Sequence, residues 1–106
     1  MPRSLKSYYV YIVECSDKSY YTGVTNNIDR RIWEHNNDED SKHYTYNRRP
    51  VILKYIESFQ NIDLAITREK QIKGWTRKKK EALMRGDENE LFRLAKGRKG
   101  HMKKRK

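Results

Sequence analysis

Cysteine, proline and aliphatic residues are scarce in this chain of 106 residues, and each scarcity closes off a class of protein. The single cysteine, Cys15, leaves no partner for an intrachain disulfide. A structural zinc site takes about four ligands, and one Cys with three scattered histidines, His35, His43 and His101, does not space like one. A reduced, cytoplasmic setting is therefore the expectation. No apolar run reaches the roughly 18 residues that a membrane span requires. Residues Met1 to Ser7 lack the apolar stretch of a signal peptide. Leu, Ile, Val and Phe together number 20 of the 106 residues. With a net charge of +11, that count lies near the compositional border of disorder.

What is present offsets this. Eight tyrosines and two tryptophans supply apolar bulk that the aliphatic count omits. The charge is also uneven. Residues 96–106 hold seven Lys or Arg and no acid, so residues 1–95 carry 18 basic against 14 acidic side chains. A folded domain over residues 1–95 followed by a basic, disordered tail over 96–106 is expected. The basic excess calls for an anionic partner. Nucleic acid is favoured over membrane, because no helix shows the basic-plus-Leu/Phe pattern of an interfacial anchor.

The β-branched and aromatic run Tyr8 to Cys15 predicts a strand. Ser16-Asp17-Lys18-Ser19 is turn chemistry, and Tyr20 to Thr25 predicts the returning strand of a hairpin. Asn26-Asn27 offers an N-cap for a helix from about Ile28 to His35. The polar stretch Asn36 to Asn47 is long for a loop in so small a domain, and such loops are commonly functional or mobile. Pro50 can open a third strand, Val51 to Phe59, but not sit inside its ladder. Asn61 caps a helix from about Ile62 to Lys80 that continues through Leu83 with a bend near Gly74. Gly86 stops it, and Asp87-x-x-Glu90 opens a short last helix to about Ala95. The order β-β-α-β-α-α predicts an α+β domain, a small three-stranded antiparallel sheet flanked by helices.

Three elements aim polar groups at apolar faces. The long helix has a stripe of Ile62, Ala65, Ile66, Ile72 and Leu83, and Glu69 falls within about 20° of Ile62 on its wheel. A carboxylate there is costly unless it is paired or bound to a metal, and a neighbouring Lys or Arg would meet that need as well as a metal would. On the first helix Arg31 and His35 flank Ile28, a place where both residues also occur simply snorkelling at a helix edge. Tyr8, Tyr9, Tyr11, Tyr20 and Tyr21 crowd one hairpin. Cross-strand packing accounts for some of them, but so many phenols cannot all be buried without polar partners. Base, cation and carboxylate together are the set that phosphodiester hydrolysis uses.

These residues carry a family resemblance. Tyr9-Val10-Tyr11 in YVYIVEC and Tyr21-Thr22-Gly23 in YYTGVT resemble the two tripeptides of the GIY-YIG nuclease superfamily, in particular its small single-domain bacterial members. Arg31 lies ten residues beyond Tyr21, and His35 four further on, as in that family's catalytic helix. Arg49-Pro50-Val51 with the strand to Phe59 fits the small-member pattern. Arg68-Glu69 followed by IKGWTRKKKEAL is similar to the helix carrying its metal-binding glutamate. The likeness spans residues 8–85. It departs at the leading glycine, which is Tyr9 here, at Thr22, where an apolar β-branched residue is usual, and at Val24, where some branches carry lysine.

The resemblance implies a metal-dependent endonuclease acting on nucleic acid, DNA ahead of RNA, in repair or recombination. It implies Glu69 as ligand of one Mg²⁺ or Mn²⁺ ion, Tyr21 as general base and Arg31 as the cation facing the phosphate. Tyr11 would orient water or Tyr21, His35 would shuttle a proton or hold phosphate, and Gly23 would admit the strand backbone close to the site. Lys73, Arg77, Lys78, Lys79 and Lys80 would grip the nucleic-acid backbone, although a solvated helix face explains some of them equally well. The alternative is a weakly active or inactive nucleic-acid-binding module that retains the nuclease fold.

Overall fold

The computed structural model describes residues 6–40 and 42–103, with side chains through Ala95. Its elements are β1 (Tyr8–Glu14), β2 (Tyr20–Thr25), α1 (Ile28–Asn37), a 3₁₀ turn (Tyr46–Arg48), β3 (Ile52–Phe59), α2 (Ile62–Lys73), α3 (Arg77–Met84) and α4 (Glu88–Lys103). The strands form one antiparallel sheet in the order β2-β1-β3, the α+β arrangement expected.

β1 lies in the centre, and Val10, Tyr11, Ile12 and Val13 are all fully buried. Alternate residues of a strand point to opposite faces, so four consecutive buried residues mean that both faces are covered. On one face Tyr11, Val13 and Cys15 join Val51, with Tyr21, Ile28, Ile32 and Leu53 packed against them. The apolar side of α1 supplies Ile28 and Ile32 to this cluster. Asn27 caps α1 by accepting from the Arg30 amide, and Asn61 caps α2 by accepting from the Asp63 and Leu64 amides.

α2 buries Ala65, Glu69 and Ile72, so the inward place of Glu69 on the wheel is realised. Ala65 and Ile72 of the expected stripe are buried as well, while its two ends are corrected. Ile62, in the first turn, is 38% exposed, and Leu83 belongs to another helix. The expected run through Lys80 breaks at Gly74, and Thr76 caps a new helix, α3, by accepting from the Lys79 amide. α2 is clamped to the sheet by the residue next to Glu69. Arg68 donates from Nε and Nη2 to the two carboxylate oxygens of Glu57 on β3, each at 2.9 Å, and the Tyr55 hydroxyl donates to Glu57 at 2.5 Å.

The chain divides into two compact units, Met1–Gly74 and Trp75–Lys106. The sheet, α1 and α2 lie in the first, and α3 and α4 in the second. α4 runs through Lys103, two turns beyond the end at Ala95 that the sequence suggested. The side chains of residues 96–103, and all of residues 104–106, lie outside the described residues. Among the described residues no helix is long and apolar enough to cross a membrane.

Candidate active site

The site begins at a glycine. Opposite Gly23 on β2 stands Tyr11 on β1, whose ring lies over the glycine so closely that a Cβ there would fall 2.5 Å from the phenol oxygen. The ring thus fills the space of the missing side chain and carries its hydroxyl to α1. There the Tyr11 hydroxyl and His35 Nε2 are hydrogen-bonded at 2.8 Å, and His35 Nδ1 and the Thr45 hydroxyl at 3.0 Å. Thr45 is 1% exposed. Two proton arrangements satisfy this chain. The phenol can donate to Nε2 while Nδ1–H donates to Thr45, or Thr45 can donate to Nδ1 while Nε2–H donates to the phenol.

Electrostatics keep both partners neutral near pH 7. Burial, reinforced by neighbouring Tyr21, pushes the Tyr11 phenol well above its ordinary range, so it remains a protonated hydrogen-bonding group and not a base. Burial, followed by the positive charge of Arg31, holds the His35 imidazole below its ordinary value.

Tyr21, half-buried, packs edge-on against His35 with ring centroids 5.2 Å apart and tilted against Tyr11 at 6.4 Å. Its other neighbour is Tyr44, stacked at 5.6 Å, and Arg48 lies 4.0 Å above the Tyr44 ring. A cavity of about 230 Å³ opens here, lined by Tyr21, Arg31, His35, Lys42, His43, Tyr44 and Thr45. Arg31 Nε is 3.3 Å from a Glu34 carboxylate oxygen but not aligned for a hydrogen bond. This buried N–H has no acceptor among the described residues. Arg31 also lines the polar cavity, and a guanidinium in such a place suits an anion.

Glu69 reaches the same neighbourhood from α2. Its Oε2 is 2.6 Å from the Lys73 ammonium, which also sits 5.8 Å from the centre of the Tyr21 ring. The Glu69 carboxylate raises the Lys73 pKa. Among the described residues no three His, Cys, Asp or Glu side chains gather as a metal cluster. A divalent ion here would have Glu69 as its protein carboxylate, with water and phosphate oxygens completing the shell, an arrangement Mg²⁺ accepts. The donor fits: it is a buried carboxylate whose one described partner is already a cation.

The structure therefore gathers Tyr11, Tyr21, Arg31, His35 and Glu69 from two strands and two helices. Of the residues expected to grip nucleic acid, Lys73 is ion-paired with Glu69 at this site. Arg77, Lys78, Lys79 and Lys80 lie on the first half of α3 in the other unit, where Arg77 pairs with Glu81 and Lys79 covers Trp75. Tyr44, Thr45 and the cavity-lining Lys42 and His43 were not singled out from the sequence. Its one signal was the unusual length of the polar segment that contains them.

Residues 7–82 match the GIY-YIG catalytic domain family. The chain is 51% identical over 76 residues to a UPF0213 protein of Haloquadratum walsbyi, covering 72% of this chain and 84% of that one. A UPF0213 protein of Syntrophus aciditrophicus is 46% identical over 77 residues, covering 73% and 88%. Among solved structures, an NMR structure of an E. faecalis protein superposes with a TM-score of 0.56 at 37% identity, covering 81% of this chain and 90% of that one. The NMR structure of a UPF0213 protein from Bacillus halodurans gives 0.51 at 38% identity, covering 76% and 85%. A three-stranded sheet with paired tyrosines, an Arg/His helix and an inward glutamate defines a nuclease fold. This chain belongs to the GIY-YIG family, whose nucleases act on nucleic acid and generally use divalent metals.

Proposed function

We propose that this protein is a metal-dependent endonuclease that hydrolyses phosphodiester bonds, with DNA as its first substrate and repair or recombination as its setting. The observation that carries this reading is the hydrogen-bonded chain Tyr11–His35–Thr45 packed against Tyr21 at a cavity that Arg31 also lines.

In this reading Tyr21, acting as its phenolate, takes a proton from the attacking water, whose oxygen bonds to phosphorus as the bond to the leaving oxygen breaks, and the leaving oxygen then takes up a proton so that Tyr21 can release its own to solvent. Arg31 meets the charge that grows on the phosphate, for which its planar donor fork suits better than a lysine. Tyr11, kept protonated by burial, orients Tyr21 or the water. His35, both of whose ring nitrogens are hydrogen-bonded, moves a proton along the chain and does not hold phosphate in this arrangement. Glu69 holds Mg²⁺ or Mn²⁺, which when bound supplies Lewis-acid stabilisation of phosphate charge. One observation favours a second reading, a weakly active nucleic-acid-binding module: the Glu69 carboxylate is already neutralised by Lys73.

The test is a panel of single-stranded, duplex, flapped and branched DNA and RNA, incubated with Mg²⁺, Mn²⁺ or EDTA. Tyr21→Phe keeps the ring and removes only the hydroxyl, and is expected to lower the cleavage rate about 10²- to 10⁴-fold. Glu69→Ala is expected to abolish cleavage and leave nucleic-acid binding nearly intact. Tyr8→Phe, outside the motif, serves as the control and should cost far less. No cleavage of any substrate with either metal would decide for the second reading, full activity in EDTA would overturn metal dependence, and equal losses at Tyr8 and Tyr21 would mean that the hairpin tyrosines are structural.

A further inference from the structure

Among the described residues Glu69 is the only buried acidic side chain, and it would be costly there without a partner. Its partner, Lys73, is built in by the helix. The two are four residues apart with the glutamate on the N-terminal side, the favoured orientation of such a pair. Lys73 is also the last residue of α2, where the helix carbonyls favour a cation.

This pair contrasts with the one formed by the adjacent residue. Arg68 grips Glu57 through two parallel hydrogen bonds, and their side chains are 27% and 23% exposed. Such a clamp is fixed. The Lys73 side chain is 51% exposed and touches one carboxylate oxygen, with its ammonium 5.8 Å from the centre of the Tyr21 ring. It can leave by swinging its stem into water. Its ammonium occupies one oxygen of the carboxylate that would hold a metal ion. Two cations cannot share one carboxylate oxygen at close range without strong repulsion.

We propose that Lys73 is an exchangeable internal counter-ion of Glu69, which a divalent ion must displace in order to bind. This rests on the reading of Glu69 as a metal ligand given above. Metal affinity of the free protein is then held low by the tethered ammonium. Phosphates of a bound nucleic acid offer Lys73 a new partner and release Glu69, so metal and nucleic acid bind cooperatively, each tightening the other by the same factor.

The experiment titrates Mn²⁺ into the full chain, free of nucleic acid, by calorimetry. Four proteins are compared: wild type, Lys73→Met, Lys73→Arg and the double variant Lys73→Met/Glu69→Gln. Lys73→Met is expected to bind Mn²⁺ about tenfold more tightly, as removal of a close like charge should allow. Lys73→Arg should stay near wild type, and the double variant should lose the gain. Thermal melts give an independent readout. Without metal Lys73→Met should melt below wild type, its Glu69 being unpaired, and Mn²⁺ should raise its melting temperature by more than it raises that of wild type. Lys73→Gln provides a second neutral variant should Lys73→Met prove poorly folded. Unchanged or weaker Mn²⁺ binding by the neutral variants, or a gain that survives loss of the Glu69 carboxylate, would overturn the proposal. Metal-dependent cleavage by wild type alongside such a result would overturn this inference alone. Tighter Mn²⁺ binding by Lys73→Met with no cleavage of any substrate would overturn the nuclease reading alone.

Discussion

Gly23 carries no side chain because Tyr11 occupies the space where one would begin, and its neighbour Thr22 shows the opposite fault. Thr22 is 2% exposed, and its hydroxyl has no hydrogen-bond partner among the described residues. A buried hydroxyl left unpaired typically costs about 1–3 kcal/mol. Thr22→Val keeps the shape and removes that group, so it is expected to stabilise the fold by about 1 kcal/mol. Urea unfolding checks this, and a lower midpoint for the variant would mean that the hydroxyl is in fact satisfied. His35 gives a residue-level prediction in pH. Its pKa in the fold lies below the ordinary imidazole value of about 6.5. The unfolded chain therefore binds the proton more readily, and stability falls as pH drops from about 6.5 through the folded pKa. His35→Gln should remove this contribution, so its melting temperature should decline less between pH 7 and pH 5 than that of wild type. Parallel declines would show that His35 is not the group responsible. Tyr11, Tyr21, Arg31, His35 and Glu69 were legible chiefly because their order matches a known family; periodicity turned Glu69 inward and set Arg31 and His35 beside Ile28, but gave Tyr21 no side.

At the scale of elements, periodicity also explains what was missed. β2 was legible to its ends because turn residues bound it on one side and an Asn cap on the other. The break between α2 and α3 was not. Gly74 read as a bend, and the apolar stripe could be traced across it to Leu83 because a wheel assumes an unbroken helix. Thr76 capping α3 was the signal that marks two helices. The segment from Asp38 to Arg49 has no period at all, so nothing in its pattern distinguished Thr45 from its neighbours. Long-range hydrogen bonds hold it in place. Asn36 on α1 exchanges two hydrogen bonds with the backbone of Val51, Arg49 donates to the Asp38 carbonyl, and Arg48 binds Asp17 in the β1–β2 turn at 3.1 Å. Tyr44 and Thr45 form a wall of the cavity, with Thr45 delivered to His35 and Tyr44 to Tyr21. Thr45→Val should therefore leave Tyr11, His35 and the wall in place but remove the far partner of the imidazole. The expected outcome is a fall in kcat of about tenfold with KM little changed, since one positioning hydrogen bond is worth about 1–1.5 kcal/mol. A change confined to KM would assign Thr45 to substrate binding instead.

For the whole molecule the charge distribution matters more than the fold. The unit Met1–Gly74 contains every gathered site residue, whereas the densest positive charge lies elsewhere, with seven Lys or Arg in residues 96–106. In the proposed function, chemistry and electrostatic attraction would thus be carried by different stretches of sequence. Each phosphate that a lysine or arginine neutralises releases counterions, so the logarithm of the binding constant falls with the logarithm of salt in proportion to the phosphates neutralised. Ion pairing of this kind carries no base reading. Deleting residues 96–106, which include the C-terminal half of α4, is expected to weaken nucleic-acid binding at low salt and to flatten that slope by about 0.9 for each duplex phosphate that these residues neutralise. Single strands and duplexes should be affected alike, and the cleavage rate at saturating nucleic acid should stay near that of the full chain. Binding titrations at several salt concentrations, paired with single-turnover rates, separate the two effects. A deletion that abolished turnover even at saturation, or lowered the melting temperature of the protein, would mean that these residues complete the folded body and do not merely hold the substrate near it.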